Sequence, residues 1–223
     1  MFFGKENIIK CIKKGKMMVR KLVKKLSACV LAAAVVAGLT GCGSVTSGKR
    51  IVRISHAQSE THPEHLGLLA FKKYVEERLG DKYEVQIFPN ELLGSAQKAI
   101  ELTQTGAIDF VVAGTANLET FASVYEIFSM PYLFDSVEAA DAVLDGPAGE
   151  ELVRILESYD LHCMGMAENG FRQLTNSVRP VHSVEDMKNL KLRVAGSNLL
   201  MKCYELWGAD ATNMNWSETY TAL

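Results

Sequence analysis

The fold is decided by residues 83–113, YEVQIFPNELLGSAQKAIELTQTGAIDFVVA. Their first six residues, Tyr83 to Phe88, alternate between apolar and polar character, which predicts a strand. Ser95 is placed to cap a following helix, and Gly106 is placed to end it. Ala107 to Ala113 is almost wholly apolar, which is typical of a strand buried on both faces of a parallel sheet. Strand, helix and strand at this spacing predict a βαβ unit.

The alternation of strand and helix continues on both sides of this unit. Ile51 to Ser55 predicts an earlier strand. Thr61 and Glu64 then match a capping box at the start of a helix that Gly80 ends. Later segments predict helices that start at Ser136, Asp145, Ser183 and Ser217, and strands over Leu161 to Ala167, Phe171 to Thr175 and Lys191 to Val194. The predicted fold class is therefore α/β, an open sheet with helices on both sides.

Length and charge narrow the class of protein further. The 223 residues are enough for one large domain or two small ones. The net charge of −2 conceals a split, because residues 1–41 hold nine of the 24 basic residues and only one of the 26 acidic residues. The remainder of the chain is therefore acidic, which argues against a nucleic-acid partner.

The amino terminus has the composition of a targeting segment. A basic region, Lys13 to Lys25, precedes an apolar run, Ala28 to Leu39, that is too short to cross a bilayer comfortably. The run ends in Leu39-Thr40-Gly41-Cys42, which resembles a bacterial lipobox. An uncleaved anchor helix and an ordinary signal peptide are the alternatives. The resemblance predicts a lipoprotein signal peptide at 1–41, lipidation of Cys42 and a flexible tether at 42–49.

Two arginines stand within short predicted strands, Arg172 in FRQLT and Arg193 in KLRV. A guanidinium in a half-buried strand is costly unless an anion meets it. Its planar fork is suited to a carboxylate, which it grips through two parallel hydrogen bonds. From charge alone, each arginine would more often pair with a protein Asp or Glu or extend to solvent.

The order of several short motifs resembles the solute-binding proteins of TRAP (tripartite ATP-independent periplasmic) transporters. The resemblance extends from about Arg50 to Leu223. Each motif is weak alone, but together and in this order they are specific. They are Pro89-Asn90 with Leu93-Gly94, Met130 to Phe134, Asn169 to Asn176, Arg179 to Val181, Glu185 to Lys188, Lys191 to Val194 and Ser217 to Leu223.

The resemblance implies two α/β lobes that face each other across a cleft. Residues 50–167 would form the first lobe, and residues 168–223 would form an incomplete second lobe. The family continues for roughly another hundred residues beyond the equivalent of Leu223, well past a typical single domain. The implied function is capture of a dicarboxylate or sugar acid outside the cytoplasm, with TRAP membrane permease subunits as partners and without a cofactor.

The resemblance also implies roles for residues of the second lobe. Arg193 would be the main carboxylate clamp, and Arg172 a second cationic contact. Trp216 stands where the family often has an aromatic residue at the cleft wall, although packing in a core is equally expected of a tryptophan. Hydrogen bonds to ligand hydroxyls would come from Asn215, Ser197 and Asn198, each of which is otherwise a turn or cap residue.

Contacts from the first lobe follow from the ends of its predicted strands. His56 and Gln58 come after the first strand, and Gly114-Thr115 after the third. Ligands of open α/β sheets bind beyond the carboxyl ends of strands, so both loops are candidates. Many family members carry charged residues after the Leu93-Gly94 turn, where this chain has Ser95-Ala96-Gln97, and this departure leaves the ligand's identity open.

Other functions have weaker support. His56, His62, Glu64 and His65 form a cluster that suggests a metal-dependent enzyme, but no zinc motif matches their spacing. No nucleophile elbow or phosphate-binding loop is present in the sequence, so we expect no enzyme. A sensory module that binds the same ligand is the other alternative. Cys163 and Cys203 could pair in an exported protein, although two separate buried thiols are favoured.

Overall fold

The computed structural model describes residues 48–223 and contains two parallel sheets. The larger sheet has the order β2-β1-β3, with β1 at Arg50–His56, β2 at Tyr83–Phe88 and β3 at Phe110–Val112. The smaller sheet pairs β4, Lys191–Val194, with β5, Asp210–Asn213. The predicted βαβ arrangement and the α/β class are confirmed by these parallel pairings.

Six α-helices accompany the strands within residues 48–223. They are α1 (Pro63–Leu79), α2 (Ala96–Gln104), α3 (Val137–Leu144), α4 (Pro147–Ile155), α5 (Asn198–Leu206) and α6 (Trp216–Ala222). Helix α1 packs on β2, α2 on β3 and α5 on β5. Four short 3-10 helices lie at Thr115–Asn117, Ser123–Ser129, Leu156–Tyr159 and Val184–Met187. No helix in this part of the chain has the length and apolar character needed to cross a membrane.

Local sequence explains most of the helix starts. The Ser95 and Ser136 hydroxyls accept hydrogen bonds from the backbone N–H of Lys98 and Ala139, as expected of N-caps. The predicted capping box of Ser183 and Asp186 is present, although it opens a 3-10 helix. Helix α6 begins one residue before the predicted Ser217.

Two predicted caps are wrong. Helix α1 is capped by His62, whose ring Nδ1 accepts the backbone N–H of Glu64 at 3.2 Å, while the Thr61 hydroxyl pairs with that of Ser59. The Glu64 side chain is thereby left out of the cap. Helix α4 is capped by Gly146, because Asp145 still belongs to the C-terminal end of α3.

Three predicted strands differ from the structure. The third strand of the large sheet is shortened to Phe110–Val112, because the N–H groups of Ala107 and Ile108 bond to the Leu102 carbonyl at the end of α2. Leu161 to Ala167 and Phe171 to Thr175 do not form strands, since neither has a strand partner within residues 48–223. Strand β5 is polar and largely exposed, and the sequence analysis did not predict it.

Each sheet lies beside its own apolar cluster. Ile100, Ala122, Tyr125, Leu156 and Leu161 form the cluster near the larger sheet. Met187, Leu190, Leu192 and Ala209 form the one at the smaller sheet. Cys163 and Cys203 are both free and half-buried, so they are separate thiols as favoured, but neither is fully buried. Two clusters are compatible with the predicted division at residue 168, which stays a prediction.

Tyr125 is the largest fully buried side chain of the first cluster, and its hydroxyl donates to the Leu152 carbonyl at 2.8 Å. Burial raises the pKa of Tyr125 to about 12, so the hydroxyl remains a donor at any ordinary pH. We expect Tyr125→Phe to lower the free energy of unfolding by about 1–2 kcal/mol in urea denaturation, because a carbonyl loses its partner. Tyr132→Phe, at a side chain 95% exposed, should change it by less than about 0.5 kcal/mol. Equal effects of the two variants would contradict this prediction.

Candidate functional site

The carboxyl ends of strands β1, β3 and β4 open onto one cavity of about 380 Å³. Its walls come from both parts of the chain, from residues 57–117 and from residues 169–216. The polar and aromatic side chains that line it are Gln58, His62, Glu64, Glu91, Gln97, Asn117, Asn169, Arg172, Arg193, Asn215 and Trp216. This is the position expected for a ligand of an open α/β sheet.

Arg193 is the most constrained cation of the cavity. It lies on β4, half-buried, and its Nε and Nη2 atoms both donate to the Met214 carbonyl, at 3.0 and 2.7 Å. A guanidinium has five N–H donors, so these two bonds fix its plane and leave about three donors free. Arg193 is thus held in place by backbone and retains the capacity to bind a carboxylate.

No carboxylate of residues 48–223 forms an ion pair with either arginine of the cavity. Within residues 48–223, neither Arg172 nor Arg193 has a carboxylate oxygen within the 4.0 Å of an ion pair. Burial and the charge of Arg172 lower the pKa of Arg193, and Glu91 partly opposes them. Both guanidiniums stay charged, so this end of the cavity is suited to an anion.

Trp216 covers this cationic end. It is the first residue of α6, is 50% exposed, and its ring centroid lies 5.5 Å from the guanidinium carbon of Arg193. That distance is within the range of a cation–π contact. Trp216 therefore lies at the wall of the cavity and not in an apolar core.

Five amide side chains line the rest of the cavity and have no side-chain hydrogen bond to any described residue: Gln58, Gln97, Asn117, Asn169 and Asn215. Gln97 and Asn117 close onto Gly196, where an added Cβ would overlap the Gln97 amide nitrogen and lie 2.9 Å from Asn117 Oδ1. A glycine at this position lets the two walls approach. Unpaired amides supply both donors and acceptors to a polar ligand.

A buried histidine pair supports the wall at the end of β1. His56 is 2% exposed, and its Nε2 lies 2.9 Å from Nδ1 of His65. His56 Nδ1 accepts the backbone N–H of Gln58 at 3.2 Å and lies 3.4 Å from a carboxylate oxygen of Glu64. Since Nδ1 accepts, His56 is neutral and carries its proton on Nε2. Burial, and then the nearby His65 and His62, lower the pKa of His56.

The structure brings five of the eight ligand-binding candidates to the cavity: Arg193, Arg172, Trp216, Asn215 and Gln58. His56 lies beneath the wall, Thr115 lies between two lining residues without being one, and Asn198 begins α5 outside it. Ser197 caps α5, where its hydroxyl accepts the Leu200 N–H at 3.0 Å. Cys42 lies outside the described residues.

The sequence did not indicate ligand-binding roles for six further lining residues, which are His62, Glu64, Glu91, Gln97, Asn117 and Asn169. Gln97 stands in the segment noted as a departure from the family, and that departure itself is the signal that would have found it. Among residues 48–223, no group of three or more His, Cys, Asp or Glu side chains is arranged to hold a metal ion. In the histidine cluster, His56 and His65 use their facing nitrogens to contact each other.

The lowered pKa of His56 predicts a pH dependence of stability. Below its ordinary pKa of 6.5, the unfolded chain takes up a proton that the buried ring resists. We therefore expect the free energy of unfolding in urea to fall between about pH 7.5 and about pH 5.5. Burial also raises the pKa of Glu64 above its ordinary value of 4.5. A raised carboxyl pKa has the opposite effect on the pH dependence of stability, and this effect begins near about pH 4.5, below the range in which His56 acts.

His56→Gln should flatten this dependence on pH, whereas His162→Gln, at a side chain 77% exposed, should retain it. An equal slope in both variants would show that the decline arises at another group.

The sequence is similar to a known family and to several known proteins. Residues 54–223 match the protein family described as "DctP: Bacterial extracellular solute-binding protein, family 7". The 2,3-diketo-L-gulonate-binding periplasmic protein YiaO of Escherichia coli is 30% identical over 188 residues, which are 84% of this chain and 57% of that protein. The C4-dicarboxylate-binding periplasmic protein DctP of Vibrio cholerae is 29% identical, over 79% of this chain and 53% of that protein. The chain thus spans a little over half the length of these relatives.

A solved structure agrees with the fold. The crystal structure of a TRAP periplasmic solute binding protein from Anaerococcus prevotii, with bound D-glucuronate, is 47% identical with a TM-score of 0.72, over 78% of this chain and 57% of that chain. The predicted α/β, periplasmic-binding-protein-like fold is confirmed by this match. The sequence resemblance is confirmed too, and the chain belongs to family 7 of the bacterial extracellular solute-binding proteins, the solute-binding proteins of TRAP transporters.

Proposed function

We propose that this chain captures a carboxylate-bearing organic acid outside the cytoplasm and delivers it to the membrane permease of a TRAP transporter. The observation that carries the proposal is Arg193, which the Met214 carbonyl fixes in a half-buried position, with no carboxylate of residues 48–223 within ion-pair distance. A buried cation without an anionic partner is costly, and a ligand carboxylate removes that cost. Binding requires no covalent chemistry.

Residues 50–167 and residues 168–223 are proposed as two lobes on either side of the cavity. The lining supports this, because Gln58 to Asn117 come from the first segment and Asn169 to Trp216 from the second. Closure around the ligand would exclude water and strengthen the arginine–carboxylate pair. Micromolar affinity needs about 8 kcal/mol, which one bidentate clamp, several hydrogen bonds and the burial of the ligand supply together.

Within the organic acids, the cavity favours a hydroxylated one. Five unpaired amides would satisfy the hydroxyls of a sugar acid, whereas a short dicarboxylate offers them no donor. Relatives support the same choice, because the Anaerococcus prevotii structure holds D-glucuronate and YiaO is named for 2,3-diketo-L-gulonate. The Vibrio cholerae relative, named for C4-dicarboxylates, keeps dicarboxylates as the second candidate.

The acid clamp predicts a large effect of Arg193→Ala. We expect this variant to lose roughly 2–5 kcal/mol of binding free energy for D-glucuronate or another sugar acid, because the ligand carboxylate is left unpaired. Isothermal titration calorimetry on the purified protein measures the loss, after a thermal-shift screen of uronates, aldonates, dicarboxylates and 2-oxo acids.

Arg154→Ala is the matched control, since Arg154 is exposed, donates to Glu151 and is not among the residues that line the cavity. Near-wild-type affinity in Arg193→Ala would refute the assignment of the clamp.

We also propose that Cys42 carries a lipid that anchors the protein outside the cytoplasm, in the periplasm or at the outer face of the cytoplasmic membrane. The basic region, the apolar run and the Leu39-Thr40-Gly41-Cys42 ending support this. More than one acyl chain would hold the protein firmly, where a single chain would not.

Metabolic labelling with a radioactive fatty acid tests the anchor. The wild-type protein should be labelled and found in the membrane fraction, and Cys42→Ser should lose the label. Cys163→Ser, at a thiol inside the folded part of the chain, should keep it. Labelling that survives Cys42→Ser would refute the anchor site.

A further inference from the structure

Glu64 is a carboxylate of the cavity wall without a hydrogen-bond donor. It is the second residue of α1, and its side chain is 27% exposed. Its backbone N–H is fixed by His62 Nδ1 at 3.2 Å, so the start of the helix holds it in place. No N–H or O–H group within residues 48–223 donates to its carboxylate oxygens, and Glu64 is one of the residues that line the cavity.

The nearby ring of His56 does not relieve this deficit. One Glu64 oxygen lies 3.4 Å from His56 Nδ1, but that nitrogen already accepts the Gln58 N–H. The His56 proton is on Nε2 and is directed to His65. His56 Nδ1 and the Glu64 oxygen are therefore two acceptors that lie 3.4 Å apart without a proton between them. A donor to Glu64 must come from the cavity instead.

The cavity wall carries charges of both signs. It is lined by two arginines and two glutamates. Within residues 48–223, neither arginine lies within the 4.0 Å of an ion pair with Glu64, so the clamp does not neutralise this carboxylate. One ligand carboxylate at Arg193 meets cations, but a second carboxylate near Glu64 meets an anion to which no N–H or O–H group of these residues donates.

We infer that Glu64 is the specificity-determining residue that selects a polyhydroxylated monocarboxylate over a dicarboxylate. This inference rests on the proposed function and adds the selecting group to it. A hydroxyl donates to the Glu64 carboxylate while the ligand carboxylate is held by Arg193. A ligand with a carboxylate at both ends brings no donor to Glu64 and is repelled there. His56 and His65 act as positioning residues that keep Glu64 unpaired.

Uronates and aldarates provide matched probes for this inference. D-Glucuronate and D-glucarate share their hydroxylated carbons, and glucarate has a second carboxylate at the other end. D-Galacturonate and galactarate form a second such pair. Calorimetry on the purified protein should show a preference for the uronate of about tenfold or more, since a charge-assisted hydrogen bond is exchanged for a repulsion.

Glu64→Gln removes the charge and preserves the shape. We expect the preference for the uronate over its aldarate to fall by about tenfold or more in this variant, with an unchanged melting temperature. Glu64→Asp retains the charge but shortens the reach, so it should weaken uronate binding while keeping the preference. Glu60→Gln, at an exposed carboxylate four residues earlier and outside the cavity, should change neither.

The results of these experiments distinguish a wrong role for Glu64 from a wrong proposed function. If a uronate binds and Glu64→Gln leaves the preference unchanged, the role of Glu64 is refuted and the binding function stands. A wild-type protein that binds the aldarate as tightly as its uronate refutes it as well. If no organic acid binds the wild-type protein, the proposed function itself fails.

Discussion

The double hydrogen bond from Arg193 to the Met214 carbonyl is the constraint on which the second half of the site depends. These bonds connect the Arg193 guanidinium on β4 to the residue that follows β5. The parallel pairing of β4 with β5 and the position of the guanidinium therefore stabilise each other. Two residues later, Trp216 begins α6 and covers the same cation. A buried guanidinium is tolerated here because backbone satisfies part of it and the open cavity leaves the rest for an anion.

The other wall depends on a different buried polar group. Strand β1 ends at His56, whose ring bonds to His65 of α1 and to the backbone of Gln58, and so joins strand, loop and helix. Burial favours the neutral form of the His56 ring, which the lowered pKa of His56 reflects. A different set of hydrogen bonds therefore holds each wall of the cavity in place. In both walls, side chains that line the cavity keep donors or acceptors that a ligand can use.

Sequence patterns predicted those elements whose cause is local. The alternation of Tyr83–Phe88 and the caps Ser95 and Ser136 need only near neighbours, and the structure has them. Strand β5, Asp210–Asn213, is polar and exists because β4 offers it a register, which no local pattern reveals. Conversely, Leu161 to Ala167 has the composition of a strand but finds no partner within residues 48–223. Pairing, unlike capping, is decided by distant residues.

The same distinction separates the parts of the site. The sequence marks Arg193 as a cation in a predicted strand, but charge alone favours a protein partner, and only the family resemblance predicts its role as a clamp. Gln97 and Asn117 are ordinary residues whose role appears only where Gly196 lets them close onto the opposite wall. Among residues 48–223, the arginines of this site have no carboxylate within ion-pair distance, and its amide side chains make no hydrogen bonds. An acid that pairs with both lowers the free energy of the folded state alone, so binding and stability must rise together.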